Sequence, residues 1–235
     1  MPRNAMVAVC DVLGYGEYIK RHSLDEAITH IRSIKDLARK SILTGYTPDG
    51  DITEFVGHMT FSDTVVFYSL RDNILAFEHL IFAALRILAV PLLYPQYRFR
   101  IGISYGEFHY DNQENLYVGK ALVDAHELEK KQEWIGAVLS QEAFEKVETT
   151  AGGRVYLMKY NVPLKNDERE SLYVINWTLA RHDAVANERL FQREHNIPSP
   201  NQEMNIERKL RNTEQFHTDV CLQCRELRKN IHISK

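Results

Sequence analysis

The sequence has little cysteine, no excess of basic charge and no apolar run long enough to cross a membrane, and each shortage removes a class of protein. Three cysteines in 235 residues, Cys10, Cys221 and Cys224, are too few and too unevenly spread for a disulfide framework, which fits a reducing, cytoplasmic compartment. A net charge of -3 provides neither the broad basic field that nucleic-acid binding needs nor an acidic tail, so the expected partner is small. The longest apolar stretch, residues 80 to 94, is broken by Arg86 and Pro91. It reads as a buried helix, and no membrane partner is expected. A secretory leader pattern, internal repeats and low-complexity tracts are also missing. Hydrophobic residues make up 44% of the chain, enough for one substantial core.

Two aspartates stand out, each where an apolar strand meets a turn. Asp11 closes the run that begins at Ala5, and Asp63 lies in Met-Thr-Phe-Ser-Asp-Thr-Val-Val-Phe-Tyr, residues 59 to 68. A carboxylate in an apolar run is costly to bury without a cation or hydrogen-bond donors, so two of them invite a shared explanation, for which a divalent metal is the natural candidate.

Periodicity supplies the elements around them. Residues 5 to 11 read as a buried strand. Ser23 and Glu26 have capping-box spacing ahead of Ala27, Ile28, Ile31, Ile34, Leu37 and Ala38, and Gly45 with Pro48-Asp49-Gly50 is expected to end that helix. Residues 52 to 61 and 64 to 70 form a hairpin turning at Ser62-Asp63, and 73 to 93 form a long apolar helix. Residues 97 to 109 alternate, with Phe99, Ile101 and Ile103 on one face and Arg98, Arg100 and Gly102 on the other. A helix from about Gly119, short strands at 135 to 139 and 154 to 162, a helix at 141 to 148 and a strand at 171 to 177 complete the series.

The order strand, helix, strand, strand, helix, strand predicts an α+β, ferredoxin-like core with an antiparallel sheet and helices on one face. In that topology the first and third strands are antiparallel neighbours, so Asp11 and Asp63 meet. Residues 1–178 are expected to form the catalytic domain and 179–235 a helical extension. Its polar helix over 201 to 230 packs on the core or on another subunit, or is simply solvated. His217, Cys221 and Cys224 share a helix face but lack a fourth ligand, and are not assigned a metal.

Four ordered segments carry a resemblance: Val9-Cys10-Asp11-Val12-Leu13-Gly14-Tyr15-Gly16, Phe61-Ser62-Asp63, Arg100-Ile101-Gly102-Ile103-Ser104-Tyr105-Gly106, and Tyr117-Val118-Gly119-Lys120-Ala121. They resemble the motifs of class III nucleotidyl cyclases over residues 5 to 177, and most of all the bacterial pyrimidine cyclases of Pycsar anti-phage defence. The resemblance implies a homodimer that binds a nucleoside triphosphate with two Mg2+ or Mn2+ ions per site, and a separate effector that responds to the cyclic product. It places Asp11, Val12 and Asp63 at the metals, and Leu13, Gly14, Tyr15 and Gly16 at the phosphates.

The base-reading lysine and aspartate of purine-specific members are replaced here by Met59 and Leu116, which cannot make charged hydrogen bonds. That departure favours a pyrimidine and leaves UTP and CTP both open. Phe61 falls within the same substrate-binding set. The transition-state asparagine and arginine positions hold Val123 and Glu127, so Arg100, with Arg98 in second place, is the candidate replacement, and Lys120 and Lys159 are further phosphate candidates. A purine cyclase with unusual base recognition, and a non-catalytic relative that binds nucleotide or only dimerises, remain alternatives.

Overall fold

In the computed structural model, which describes residues 3–46, 52–89, 97–180 and 206–221, the N-terminal apolar run forms β1 (Arg3–Val12), buried on both faces from Ala5 to Cys10. After a turn at Leu13-Gly14 come α1 (Tyr15–Arg21) and α2 (Leu24–Ser41). The capping box of α2 is complete: the Ser23 backbone N–H donates to Glu26 Oε2 at 2.8 Å, and the Glu26 N–H donates to Ser23 Oγ at 3.4 Å. A small hairpin of β2 (Thr44–Tyr46) and β3 (Ile52–Glu54) follows, then β4 (Val56–Phe61), β5 (Thr64–Ser69) and the apolar helix α3 (Ile74–Ala89). Next are β6 (Phe99–Asp111), β7 (Leu116–Val118) and α4 (Lys120–Lys131). The remaining elements are β8 (Gly136–Leu139), α5 (Gln141–Val147), α6 (Ala151–Tyr156), β9 (Leu157–Pro163), β10 (Arg169–Ile175) and a helix α7 over 206–221.

The main sheet runs β4-β5-β1-β6-β8-β10-β9, with β7 paired to the far end of β6. Each neighbouring pair among its first four strands is antiparallel, in the order expected of a ferredoxin-like core, and β6–β8 is a parallel pair. The α+β fold therefore stands, with one correction to its layering. Even-numbered β1 residues Met6, Ala8, Cys10 and Val12 join α2 and α3 in one core, whereas Ala5, Val7 and Val9 pack with Val66, Phe108, Ala121 and Ala125 in a second. Helices thus occupy both faces, because the odd-numbered row of β1 is as apolar as the even-numbered row and also needs cover. Gly102 allows α4 to lie directly on β6: a Cβ there would fall 2.0 Å from the Ala125 carbonyl oxygen.

Other boundaries also move. Gly45 sits inside β2 rather than in a helix-ending turn, and residues 48–50 and 90–93 lie outside the described residues. Residues 154 to 156, expected to be strand, finish α6. Thr150 caps that helix by accepting the Gly153 N–H at 2.8 Å, and the Gly152-Gly153 pair permits its close packing. Helix α7 docks on the core, with Phe216 edge-on to Trp134 and Tyr160 at centroid separations of 4.9 and 4.8 Å. Among the described residues no helix is long and apolar enough to cross a membrane.

Candidate active site

Register brings the two aspartates together. Asp11 stands opposite Thr64 across the β1–β5 pair, and Asp63 is the residue just before Thr64 in a two-residue turn closed by Phe61 and Thr64. Ser62, the other turn residue, takes a positive φ of 54°, which a non-glycine residue adopts only where the turn demands it. Asp11 belongs to the odd-numbered row of β1, so it points to the face covered by α4.

Across the β1–β6 pair Asp11 faces Arg100, and the Arg100 Nη2 to Asp11 Oδ2 separation is 3.5 Å. The guanidinium is buried and its other donors are engaged. It forms an ion pair with Glu129 of α4, and its Nη1 donates to the Gln132 carbonyl at 3.0 Å. Gln132 is fixed in turn: its amide donates to the Ile101 and Leu128 carbonyls and accepts from Trp134 Nε1 at 2.8 Å.

Three acids and one arginine therefore share this end of the sheet. Burial, then Glu129 and then Asp63 push the Asp11 carboxyl up to about 7 from the ordinary 3.8, with Arg100 and Lys209 opposing them. Excess negative charge of this kind is what a bound cation relieves. The donor set fits a hard divalent ion, being all oxygen: two carboxylates and the main chain of Val12, whose side chain is buried in the opposite core. Among the described residues no group of three or more His, Cys, Asp and Glu side chains is arranged around a metal, so the protein would fill only part of the coordination shell.

The turn between β1 and α1 adjoins the aspartates. The Leu13 N–H donates to the Arg98 carbonyl at 2.9 Å, and Gly14 caps α1 in the left-handed region at φ 85°. Nothing lies within 4 Å of where a Cβ on Gly14 or Gly16 would be, which leaves the space beside both glycines, on either side of Tyr15, open to a ligand, while the Leu13 N–H is already engaged. Phe61, at the hairpin tip, is 75% exposed. Met59 lies two residues farther from the turn, opposite Val66 and against the second core.

Three other expected residues lie elsewhere in the structure. Leu116 and Lys120 are at the far end of β6, since β7 pairs with residues 109 to 111 whereas Arg100 lies near its start. Lys159 is on the opposite edge strand, β9, with its amine 4.9 Å from the centroid of the Tyr173 ring. Val123 and Glu127 are on the exposed side of α4.

Sequence reasoning missed Glu129, although the signal was present. Ala121 and Ala125 mark the buried side of α4, and the next position at that four-residue spacing is Glu129, 2% exposed.

No protein-family model matches the chain, and no curated protein matches it. Solved structures do resemble it. Adenylate cyclases from Trypanosoma brucei in their monomeric state share 15% identity, over 77% of this chain and 92% of that chain, with a TM-score of 0.49. The catalytic core of a rhodopsin-guanylyl cyclase with converted specificity, in complex with ATPαS, shares 11% identity over 74% and 95%, with a TM-score of 0.49. An adenylate/guanylate cyclase/hydrolase from Silicibacter pomeroyi shares 18% identity over 74% and 96%, with a TM-score of 0.43.

Proposed function

We propose that this chain is a class III-type nucleotidyl cyclase that converts UTP or CTP to the 3′,5′-cyclic monophosphate and pyrophosphate. The observation that carries this reading is the meeting of Asp11 and Asp63 at the ends of two paired strands, beside a glycine turn open to ligand. In the reaction the ribose O3′ bonds to the α-phosphorus, the bond from that phosphorus to the oxygen bridging the β-phosphate breaks, and the 3′-hydroxyl proton passes to solvent. Because the attack is intramolecular, the site has to supply geometry and charge.

Asp11, Asp63 and the Val12 main chain would hold two Mg2+ or Mn2+ ions. Bound there, the ions supply Lewis acidity at the triphosphate and at the attacking hydroxyl. The backbone from Gly14 to Gly16 receives the β- and γ-phosphates where no side chain obstructs it at Gly14 or Gly16. Arg100, expected from the sequence to meet the phosphates or the base, is instead a positioning residue in this reading: buried against Glu129 and the Gln132 carbonyl, it holds Asp11 in place and balances charge beside it.

Met59 and Leu116 offer a base only apolar contact, which supports a pyrimidine over adenine or guanine. Within one protomer Leu116, Lys120 and Lys159 are remote from the aspartates, so their use requires a second copy. Apolar side chains left exposed at Phe61, Val118 and Val123 support such a homodimer. In this reading the chain acts in the cytoplasm as the signal producer of an anti-phage system, and a separate protein responds to the cyclic nucleotide.

Incubation of the purified chain with each of the four nucleoside triphosphates and Mn2+, with products identified by mass spectrometry, tests the proposal. Cyclic UMP or cyclic CMP is expected. Predominance of cyclic AMP or cyclic GMP would overturn the pyrimidine assignment. Absence of any cyclic product would favour the binding-module reading, which gains its motive from Val123 and Glu127.

A further inference from the structure

Helix α7 reaches β9, where Asp219 Oδ2 accepts the Tyr160 hydroxyl at 3.0 Å, and Asp167, 3.6 Å from Arg208, but its buried polar contacts gather on one short segment, the connection between α4 and β8. Arg208 Nε donates to Glu133 Oε2 at 2.9 Å, and the Asn212 amide donates to the Glu133 carbonyl at 2.7 Å. Thr213 Oγ1 accepts the Ile135 N–H at 2.9 Å and donates to the Lys209 carbonyl at 2.7 Å. Thr213 is fully buried and Glu133 is 2% exposed, so neither group can exchange its partner for water.

The same segment is gripped from its other side by the site. Gln132, next to Glu133, accepts Arg100 Nη1 on its carbonyl, and its side-chain amide reaches back to the Ile101 carbonyl at 2.9 Å. Residues 132 to 135 are therefore held between α7 and Arg100, and Arg100 in turn stands 3.5 Å from Asp11. A second link is electrostatic. Lys209 lies 3.9 Å from Glu133 Oε1, and its charge reaches Asp11 and Arg100.

We propose that α7 is a positioning element of the catalytic centre: Arg208 and Thr213, through Glu133 and Gln132, fix the Arg100 guanidinium against Asp11. None of these residues touches the reacting atoms, and the helix lies outside the part of the chain that the sequence assigned to catalysis. The inference concerns turnover in so far as the cyclase reading holds, but the mechanical link from α7 to Arg100 exists independently of it.

The test compares Thr213→Val, Thr213→Ser, Arg208→Ala and the double variant Arg208→Ala with Thr213→Val in the full chain. Two quantities are measured: exchange of the Arg100 Nε–H by NMR, and kcat and KM for the nucleotide. Thr213→Ser keeps both hydrogen bonds and should behave as wild type. The double variant should speed Arg100 Nε–H exchange about tenfold or more and lower kcat by a similar factor, with KM changed less than about twofold. If the double variant fails to fold, Thr213→Val alone decides, with a smaller change in the same direction. A folded variant whose Arg100 Nε–H exchange stays at the wild-type rate would overturn the proposal. So would faster exchange with kcat unchanged, in a wild type that cyclises. A wild type that forms no cyclic product, with the NMR response intact, would refute the cyclase reading and leave the link from α7 to Arg100 standing.

Discussion

On one face of β1, Met6, Ala8, Cys10 and Val12 disappear under α2 and α3; on the other, Ala5, Val7 and Val9 lie under α4 and the row ends at Asp11. The first face is sealed by a large continuous core that includes Phe67, Phe99, Ile101 and Ile103. The second is covered by one helix, and beyond it the structure leaves Phe61 and Val123 exposed and sets acids against one arginine. Strand residues one position apart thus serve different ends. The sealed face supplies stability, and the partly covered face supplies a charged centre bordered by exposed apolar side chains.

The sharpest way to break this division is to damage the sealed face. Phe67→Ala should cost about 3–5 kcal/mol through lost burial and a residual cavity, read as a lower urea midpoint, while turnover per folded molecule stays near wild type. On the other face, Glu129→Gln removes one partner of a buried ion pair and should cost about 3 kcal/mol. It should also lower the Asp11 pKa, because a repulsive charge has gone, and chemical denaturation together with NMR titration of Asp11 checks both effects.

Asp11→Asn should move stability in the opposite direction in metal-free protein. The native carboxyl keeps its proton up to about pH 7, whereas the unfolded chain loses it near 3.8. Native protein therefore binds more protons in that window, and the wild type loses stability as pH rises from about 4 to 7. The asparagine variant lacks that loss. Its Tm should match wild type near pH 4 and exceed it by roughly 10 °C at pH 8, followed by calorimetry in the presence of a chelator. The smallest effect is expected remote from both faces: Ser23→Ala breaks the α2 capping box at a cost of about 1 kcal/mol, with no change in kcat or KM.

Much of this arrangement was legible in the sequence because it depends on local pattern. The period of β1, the Ser23-Glu26 box, the start of α4 at Gly119 and the hairpin at Ser62-Asp63 all appear where spacing placed them. Asp11 and Asp63 could be brought together because an antiparallel topology leaves little freedom of register once the turn is fixed. What escaped depends on contacts far apart in the chain. Arg100 reads in the sequence as a candidate phosphate or base contact on a polar strand face, and only the packing of α4 at Gly102 reveals Glu129 as its partner. Val155 and Tyr156 are β-formers by type, yet the Thr150 cap and the tight Gly152-Gly153 packing make them helical. The docking of α7 was left open because its apolar stripe is thin, and its hold on the core comes as much from Arg208, Asn212 and Thr213 as from Phe216.

The central claim, that the partly covered face of β1 holds the catalytic carboxylates, meets its most direct test in the cyclisation rate of Asp63→Asn beside wild type, with UTP and CTP, at saturating Mn2+. The account predicts a loss of at least about a thousandfold, equivalent to roughly 4 kcal/mol of transition-state stabilisation, in a protein with an unchanged circular dichroism spectrum. Turnover within a few fold of wild type in a folded Asp63→Asn variant would contradict it.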